Sequence, residues 1–355
     1  MQDPLVSVWM ITYNHEKYIR QSLEGAVSQK TNFAFEIIIG EDCSTDGTRA
    51  IVEEFESRYP DIIVPIYHET NVGAMRNAYE YCYPRLSGKY VACLEGDDYW
   101  IDENKLQKQV DFLEANPDYA IYCHRVYELS DGNELRETGL FSSASGSTTE
   151  FTIEDLASIG NFIHTASVLF RNGLIPGFPS WFSTSPVGDY VLHMLNARGG
   201  KIAFLPYTMA VYRRHDQGSW GMKSHKFRIE NWLIVLEHLI DEFNDNKSVC
   251  EHLKTQSAKN YIHLSDMYHD EGNKEKSAYY LKKAFAVSEL YMYDWVNKVR
   301  ENQTRLQSEI NEIVNSKEYR TGRHVQNPGG LIRKILSILK RKIVNKNTVQ
   351  KRVYY

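Results

Sequence analysis

Three carboxylates, Glu95, Asp97 and Asp98, fall within four positions directly after the apolar run Tyr90-Val91-Ala92-Cys93-Leu94. The run lacks helical spacing and reads as a buried strand, which places the acids at its carboxyl end. In open α/β sheets that edge is where ligands bind. Acids this close repel one another unless a cation sits among them. Mg2+ or Mn2+, hard ions that share their oxygen shells with substrate phosphates, are the simplest residents. On these residues alone a solvated acidic turn after an edge strand is an equal alternative. Two more polar clusters end apolar runs: Thr12-Tyr13-Asn14 after Leu5–Ile11, and Glu41-Asp42 after Phe35–Gly40. Three clusters brought to one sheet edge point to a nucleotide pocket.

The elements that must position these residues follow from the pattern. Strands are predicted at Leu5–Thr12, Phe35–Gly40, Ile62–Tyr67 and from Tyr90. Between them lie helices at Glu16–Gln29, with Ile19, Leu23, Ala26 and Val27 inward, around Ile51, Val52, Phe55 and Tyr59, and at Arg76–Leu86. Strand and helix alternate at βαβ distances, giving an α/β, Rossmann-like, mostly parallel sheet flanked by helices. The absence of G-x-G-x-x-G and of a P-loop argues against a classical dinucleotide or ATP site. Beyond Trp100 the pattern predicts a helix at Lys105–Asn116, a strand at Ala120–Leu129, a turn at Asp131-Gly132-Asn133 and a mobile loop over 138–152. A strand at His164–Arg171, a helix from Gly188-Asp189-Tyr190 to Arg198 and a strand region Lys201–Tyr212 interrupted at Pro206 follow. From Lys226 the pattern is helical, and Ser257–Leu290 resembles one tetratricopeptide-type hairpin. The expected organisation is a body at 1–222, a C-terminal helical appendage at 223–318 and a basic tail at 319–355.

Among 355 residues, 42% are hydrophobic and 25% charged, ordinary for a soluble globular protein. A net charge of −5 argues against general nucleic-acid binding. Five scattered cysteines without a C-x-x-C pair suit free thiols in a reducing compartment. With no signal-peptide pattern and no apolar run of membrane-span length, a cytoplasmic location is expected. Residues 319–355 hold ten Lys or Arg and no Asp or Glu, which leaves −15 on the remainder. There Leu331, Ile332, Ile335, Leu336, Ile338, Leu339 and Ile343 share a helical face opposite Arg333, Lys334, Lys340 and Arg341. Such a helix can lie peripherally on the anionic inner face of the cell membrane, or dock on its own acidic body. A homo-oligomer is open.

Taken together, Val8–Asn14, Glu41-Asp42-Cys43-Ser44-Thr45-Asp46-Gly47-Thr48, Asn71-Val72-Gly73 with Arg76-Asn77, and Leu94–Trp100 resemble a family 2 glycosyltransferase over about residues 5–220. Two departures stand out: the first acidic pair is Glu-Asp followed by Cys43, and Glu95 leads the D-x-D-type motif. The resemblance implies a GT-A fold, a nucleotide-sugar donor of the UDP type, a divalent metal (Mn2+ or Mg2+) and inversion at the anomeric carbon. Carried over by position, Asp42 would hold the nucleotide base, with Thr12 and Tyr13 lining the pocket and Asn14, Glu41 and Asn71 around it. Arg76 would lie near base or diphosphate, Asp97 and Asp98 at ribose and metal, and Glu95 with Asp97 among the donor contacts. Asp97, Asp98 and His215 would form the metal site, with the ligating carboxylate left open by Glu95. Asp189 matches the family's catalytic base, its carboxylate supported by a helix N-terminus that keeps it ionised; the same position could merely complement the helix dipole. Asp216 is the reserve base. Trp181 and Trp220 would stack on an acceptor sugar, or fill the core, and His164 reads as structural. The stretch from Gly188 to His215 is similar to members that build bacterial surface polysaccharides, implying a glycan or lipid-linked glycan acceptor. The competing classes are an inactive GT-A-like binding module that recruits partners through its helical region, and a sugar nucleotidyltransferase, for which the expected glycine-rich loop is missing.

Overall fold

A computed structural model describes residues 3–130, 134–137, 148–215 and 223–315. The expected turn at 131–133, most of the loop at 138–152, Asp216, Trp220 and the tail at 319–355 lie outside the described residues. In chain order the elements are β1 (Val6–Thr12), α1 (Ile19–Val27), β2 (Phe35–Glu41), α2 (Thr48–Arg58), β3 (Ile63–Tyr67), α3 (Ala74–Arg76), β4 (Tyr90–Cys93), β5 (Tyr99–Trp100), α4 (Lys105–Ala115), β6 (Tyr119–Ser130) and β7 (Leu135–Glu137). There follow β8 (Thr149–Phe151), α5 (Ile153–Ile159), β9 (Leu169–Arg171), α6 (Asp189–Ala197), β10 (Lys201–Arg214), α7 (His225–Glu242), α8 (Lys247–Asp270), α9 (Lys274–Val287) and α10 (Glu289–Asn315). The chain divides into two compact units, Met1–Leu253 and Lys254–Tyr355.

The first unit is built on one mixed sheet in the order β3-β2-β1-β4-β9-β6-β10-β5, with β7 on β6 and β8 on β10. The apolar runs become strands because both sheet faces are covered. In β1, Val6, Val8 and Met10 enter one core cluster and Trp9 the other; in β4, Tyr90 and Ala92 face one cluster, Val91 and Cys93 the other. Helices α1 and α4 cover one face through Ile19, Leu23 and Ala26 and through Leu106, Val110 and Leu113. The opposite face is closed by α6, in which Tyr190–Ala197 are all buried, and by Val235, Leu236, Leu239 and Phe243 from α7 and its end. That packing carries the first unit past position 222 to Leu253.

The parallel reading holds for β3, β2, β1 and β4, and for β6 with β10. Strand β9 runs antiparallel to both β4 and β6, joining the two parallel groups. Two elements differ from expectation. The helix expected over Arg76–Leu86 is instead α3 followed by a π-helical turn at Asn77–Cys82 and a 3₁₀ turn at Tyr83–Arg85. The strand expected from His164 begins only at Leu169, because Thr165–Ser167 form a 3₁₀ turn in which Ser167 Oγ donates to the His164 carbonyl at 2.7 Å.

The second unit holds most of α8, with α9 and α10. Chain reversal between α8 and α9 uses Gly272 at φ 76°, and the Asn273 side chain caps α9 by accepting from the Lys276 amide at 3.1 Å. Tyr268 and Tyr280 stack at 5.4 Å, and Ser265 Oγ donates to the Ser277 carbonyl at 2.9 Å. No helix of the described residues is long and apolar enough to cross a membrane.

Candidate active site

Strand β4 stops at Cys93, and the acid-bearing segment continues along β1: the Leu94 amide donates to the Trp9 carbonyl and the Gly96 amide to the Ile11 carbonyl, both at 3.0 Å. A Cβ on Gly96 would stand 2.6 Å from Thr12 Oγ1 and 2.9 Å from His15 Nδ1, so only glycine permits this approach. The loop then folds on itself, the Asp98 amide donating to the Glu95 carbonyl at 3.1 Å. One oxygen from each of Glu95, Asp97 and Asp98 lies within 4.8 Å of the others. Asp98 is 1% exposed; its Oδ1 accepts from the Arg213 amide at 2.9 Å, while Oδ2 is buried without a donor. Asp97 Oδ1 is buried without a donor too, and its Oδ2 lies 3.0 Å from His215 Nε2 and 3.9 Å from His15 Nε2. Orphaned buried carboxylate oxygens are costly. Two of them beside a third acid form an oxygen donor set that fits a hard divalent cation.

Electrostatics follow from that crowding. Burial pushes Glu95 up to about 8, and the charges of Asp97 and Asp189 add to the shift. Burial, then Asp97 and Glu95, raise Asp98 well above the carboxylate range. Burial also acts upward on Asp97, but the His215 hydrogen bond and the charges of His15 and His215 outweigh it and leave the carboxyl below its ordinary value.

Two residues that the sequence reading did not assign, Arg213 and His15, hold this loop. Arg213 donates to the Asp97 carbonyl and to Gln21 Oε1. Its guanidinium lies 4.4 Å from the Tyr99 ring centroid and 5.2 Å from that of Tyr18. His15 lies between Thr12 Oγ1, 3.3 Å from its Nδ1, and Asp97 Oδ2, 3.9 Å from its Nε2. The segment Arg213-Arg214-His215 that closes β10, and His15 after Tyr13-Asn14, were the available signals. Beneath them Trp100 Nε1 donates to the Ala166 carbonyl at 2.9 Å, and the buried Lys105 amine lies 4.1 Å from the Trp100 ring centroid.

The residues expected around the donor separate into groups. Thr12 is 2% exposed at the end of β1, with Oγ1 3.3 Å from His15 Nδ1, whereas Tyr13 is 41% exposed. Asp42 accepts from the Val72 amide at 2.7 Å and the Gly73 amide at 2.9 Å, and its carbonyl accepts from Asn71 Nδ2 at 3.2 Å. The segment Asn71-Val72-Gly73 thus wraps the carboxylate, each of whose oxygens keeps further lone pairs. Asn14, in the left-handed region at φ 55°, accepts from the Thr45 amide at 2.8 Å and ties that loop to β1. Arg76 sits in an exposed ion pair with Glu80 at 3.0 Å.

Glu41 is wholly buried, accepting from the Ser44 amide at 2.7 Å and from Arg49. It shapes the Cys43–Asp46 loop from inside. Removing one partner of such a pair strands the other, so Glu41→Ala should lower the unfolding free energy by about 3 kcal/mol, Arg49 being a third exposed. Urea denaturation measures this, and a loss within experimental error would refute it.

Asp189 opens α6. Its Oδ1 accepts from the Tyr190 amide at 2.8 Å and its Oδ2 from Asn161 Nδ2 at 2.7 Å. Burial raises the carboxyl above its ordinary value, and these two donors only partly oppose it, so burial prevails over the support expected from the helix terminus. Asp189 is near enough to Glu95 for its charge to contribute to that residue's upward shift, which sets it in the same field as the acidic loop. Burial, with smaller contributions from Cys93, Asp189 and Glu95, pushes the Tyr79 phenol up; its hydroxyl would meet a Cβ on Gly188 at 2.9 Å. Trp181 stacks on His238 of α7 at 4.6 Å and 5°, which covers one face of the indole. Burial lowers His164 to about 4, an imidazole held neutral beside Tyr212.

A family model, Glycosyl transferase family 2, matches residues 7–177. The chain is 39% identical over 216 residues to an uncharacterized protein of Mycobacterium tuberculosis, covering 61% of this chain and 60% of that one. It is 33% identical over 135 residues to the Escherichia coli UDP-Glc:alpha-D-GlcNAc-diphosphoundecaprenol beta-1,3-glucosyltransferase WfgD, covering 38% and 50%. The matches therefore span about half to three fifths of those relatives' lengths. Among solved structures it is similar to the mannosyltransferase of Pyrobaculum calidifontis in complex with GDP-Man and Mn2+, with a TM-score of 0.53 over 90% of this chain and 83% of that one. At 19% identity that likeness shows the fold, of the GT-A type. Over residues 7–177, a little under half of its length, the chain is similar to glycosyl transferase family 2.

Proposed function

We propose that this protein is an inverting glycosyltransferase that moves a sugar from a nucleotide-sugar donor, of the UDP type, to a glycan or lipid-linked glycan in surface-polysaccharide synthesis. The observation that carries the reading is the triad Glu95, Asp97 and Asp98, with two buried donor-free oxygens, at the strand edge of a family 2 domain. Asp97 and Asp98, with Glu95 and His215 beside them, would hold Mn2+ or Mg2+, which when bound neutralises the negative charge of a departing nucleoside diphosphate. The neighbour solved with GDP-Man and Mn2+ and the WfgD relative named for UDP-Glc support this reading.

The chain's own residues divide the remaining work. Asp42, Thr12, Tyr13 and the wrapped Asn71-Val72-Gly73 segment receive the nucleoside, and Arg76 lies at its rim. Asp189 accepts the proton of the acceptor hydroxyl as that oxygen bonds to the anomeric carbon. The bond from carbon to the diphosphate oxygen breaks at the opposite face, and its electron pair leaves with the diphosphate. Trp181, one indole face covered by His238, and Trp220 are the proposed acceptor contacts. Release of nucleoside diphosphate from UDP-glucose, UDP-N-acetylglucosamine and GDP-mannose, with Mn2+ and lipid-linked or glycan acceptors, tests the reading. No release from any donor would favour the binding module, and pyrophosphate consumption with nucleotide-sugar formation would favour the nucleotidyltransferase.

The basic segment 319–355 belongs to the same proposal, since a lipid-linked acceptor requires access to a membrane. A chain ending at Ser316 should lose most of its co-sedimentation with phosphatidylserine-containing vesicles, and do so most clearly at low salt. Sedimentation equal to that of the full chain would sink this role for the tail.

A further inference from the structure

We infer that Asn161 is a positioning residue that sets the carboxylate of Asp189 for the acceptor; the inference rests on the reading of Asp189 as the base. Asn161 follows Gly160, the residue at φ 96° that caps the C-terminus of α5. Its Nδ2 donates to Asp189 Oδ2 at 2.7 Å. The amide's orientation follows from its second contact, because its Oδ1 accepts from the Ile163 amide at 3.3 Å. Turning the amide over would lose that bond and set an oxygen against the carboxylate. Asp189 Oδ1 is fixed in turn by the Tyr190 amide at 2.8 Å. Each carboxylate oxygen therefore has one neutral donor and no cationic partner among the described residues.

The support for Asn161 is itself anchored. The capping box at the start of α5, Thr152 with Asp155, fixes that helix at its far end. Tyr190 OH, on the residue after Asp189, donates to the Leu156 carbonyl of α5 at 3.2 Å. Helices α5 and α6 are thus tied on either side of the carboxylate, and Asn161 spans the gap between them. A neutral amide suits a base better than Lys or Arg would. It fixes the rotamer while leaving the carboxylate free to take up a proton, whereas a cation would hold the carboxylate ionised. Asn161 does not occur among the family motifs in this sequence, and only the fold brings it to Asp189.

The test uses the full-length protein, Mn2+ and whichever of UDP-glucose, UDP-N-acetylglucosamine or GDP-mannose gives the fastest nucleoside diphosphate release. Asn161→Ala should lower kcat by about tenfold to a hundredfold, the range that a misplaced catalytic group costs. The KM for the donor should stay within about twofold, because the donor contacts are elsewhere. Asn161→Ser, which keeps a short donor, should recover part of the loss. Asn161→Asp, nearly isosteric and so the variant that guards against a folding defect, should lose more than Asn161→Ala, because a second carboxylate would oppose the first. The double variant Asn161→Ala with Asp189→Asn should be no slower than Asp189→Asn alone. Wild-type kcat in Asn161→Ala and Asn161→Asp, with Asp189→Asn inactive, would overturn the inference and leave the base in place. Turnover retained in Asp189→Asn would overturn the base itself.

Discussion

Asp189→Asn should lower turnover by about 10²–10⁴-fold, the usual contribution of a general base, and leave nucleotide-sugar affinity unchanged. The substitution keeps an oxygen able to accept from the Tyr190 amide and an amide of nearly the same volume, so the start of α6 should hold. Affinity is separate because the proposed donor residues belong to the ends of β1, β2 and β4 and to the segment from Asn71 to Arg76 after β3. The pH profile supplies an independent check. The base must be ionised, and burial raises the Asp189 carboxyl above its ordinary value. Activity should therefore fall as pH drops, with the acid limb of kcat/KM above that of an exposed aspartate. Near-normal turnover in Asp189→Asn with collapse in Asp216→Asn would transfer the role to the reserve position.

Removing divalent cations should abolish turnover, and Asp98→Asn should do the same in excess Mn2+. This variant keeps Oδ1 as acceptor for the Arg213 amide, so the loss reports on charge at the cluster and not on a broken loop. Stability should move in opposite directions. Without metal, neutralising one of three crowded acids relieves repulsion, and Asp98→Asn should melt no lower than the parent protein. With metal, only the parent should gain, by mass action on the native state. The pH dependence has a definite sign. Glu95 sits at about 8 against an ordinary 4.5, so the native state holds the extra proton between those values. The metal-free protein should lose stability as pH rises from about 4.5 through about 8, and the Mn2+-induced rise in Tm should be larger at pH 8 than at pH 6. Full activity in excess chelator, or a Tm indifferent to Mn2+ at pH 8, would refute the metal site.

The parts of the fold that could be read from sequence are those whose residue types answer to local geometry. Strands β1, β2 and β4 are apolar on consecutive residues because both faces of the sheet are covered, and the apolar runs break at the polar residues that follow them. The acidic triad was legible for the same reason. What stayed hidden depends on partners far away in the chain. The π-helical turn is stabilised where Asn77 donates to the Gly40 carbonyl at 2.8 Å, 37 residues earlier, and lies 3.0 Å from His68 Nε2. Arg213 reaches the Asp97 carbonyl across 116 positions. Asp42 and Glu41 are adjacent acids in the sequence, yet one is wrapped by the Val72 and Gly73 amides and the other is buried against Arg49. Neither spacing nor residue type distinguishes them.

The path of β10 has a consequence for how such chains can change length. Early in the strand, Ile202 and Phe204 enter one core cluster and Ala203 and Leu205 the other. The pairing with β6 then slips twice, between Leu205 and Thr208 and between Thr208 and Ala210. Beyond the slips Ala210 joins the cluster of Ala203 and Leu205, and Tyr212 packs against it: even numbers now occupy the face that odd numbers held. Just beyond, Arg213 reaches the Asp97 carbonyl and the chain leads on to His215 beside Asp97 Oδ2. Gaining or losing one residue between Leu205 and Ala210 would reverse that assignment while leaving the strand's first half and its core intact. An odd change in length at this kink, where Tyr207 is 53% exposed, is therefore expected to misplace Arg213 and His215 at the acidic loop as well as the buried Ala210 and Val211.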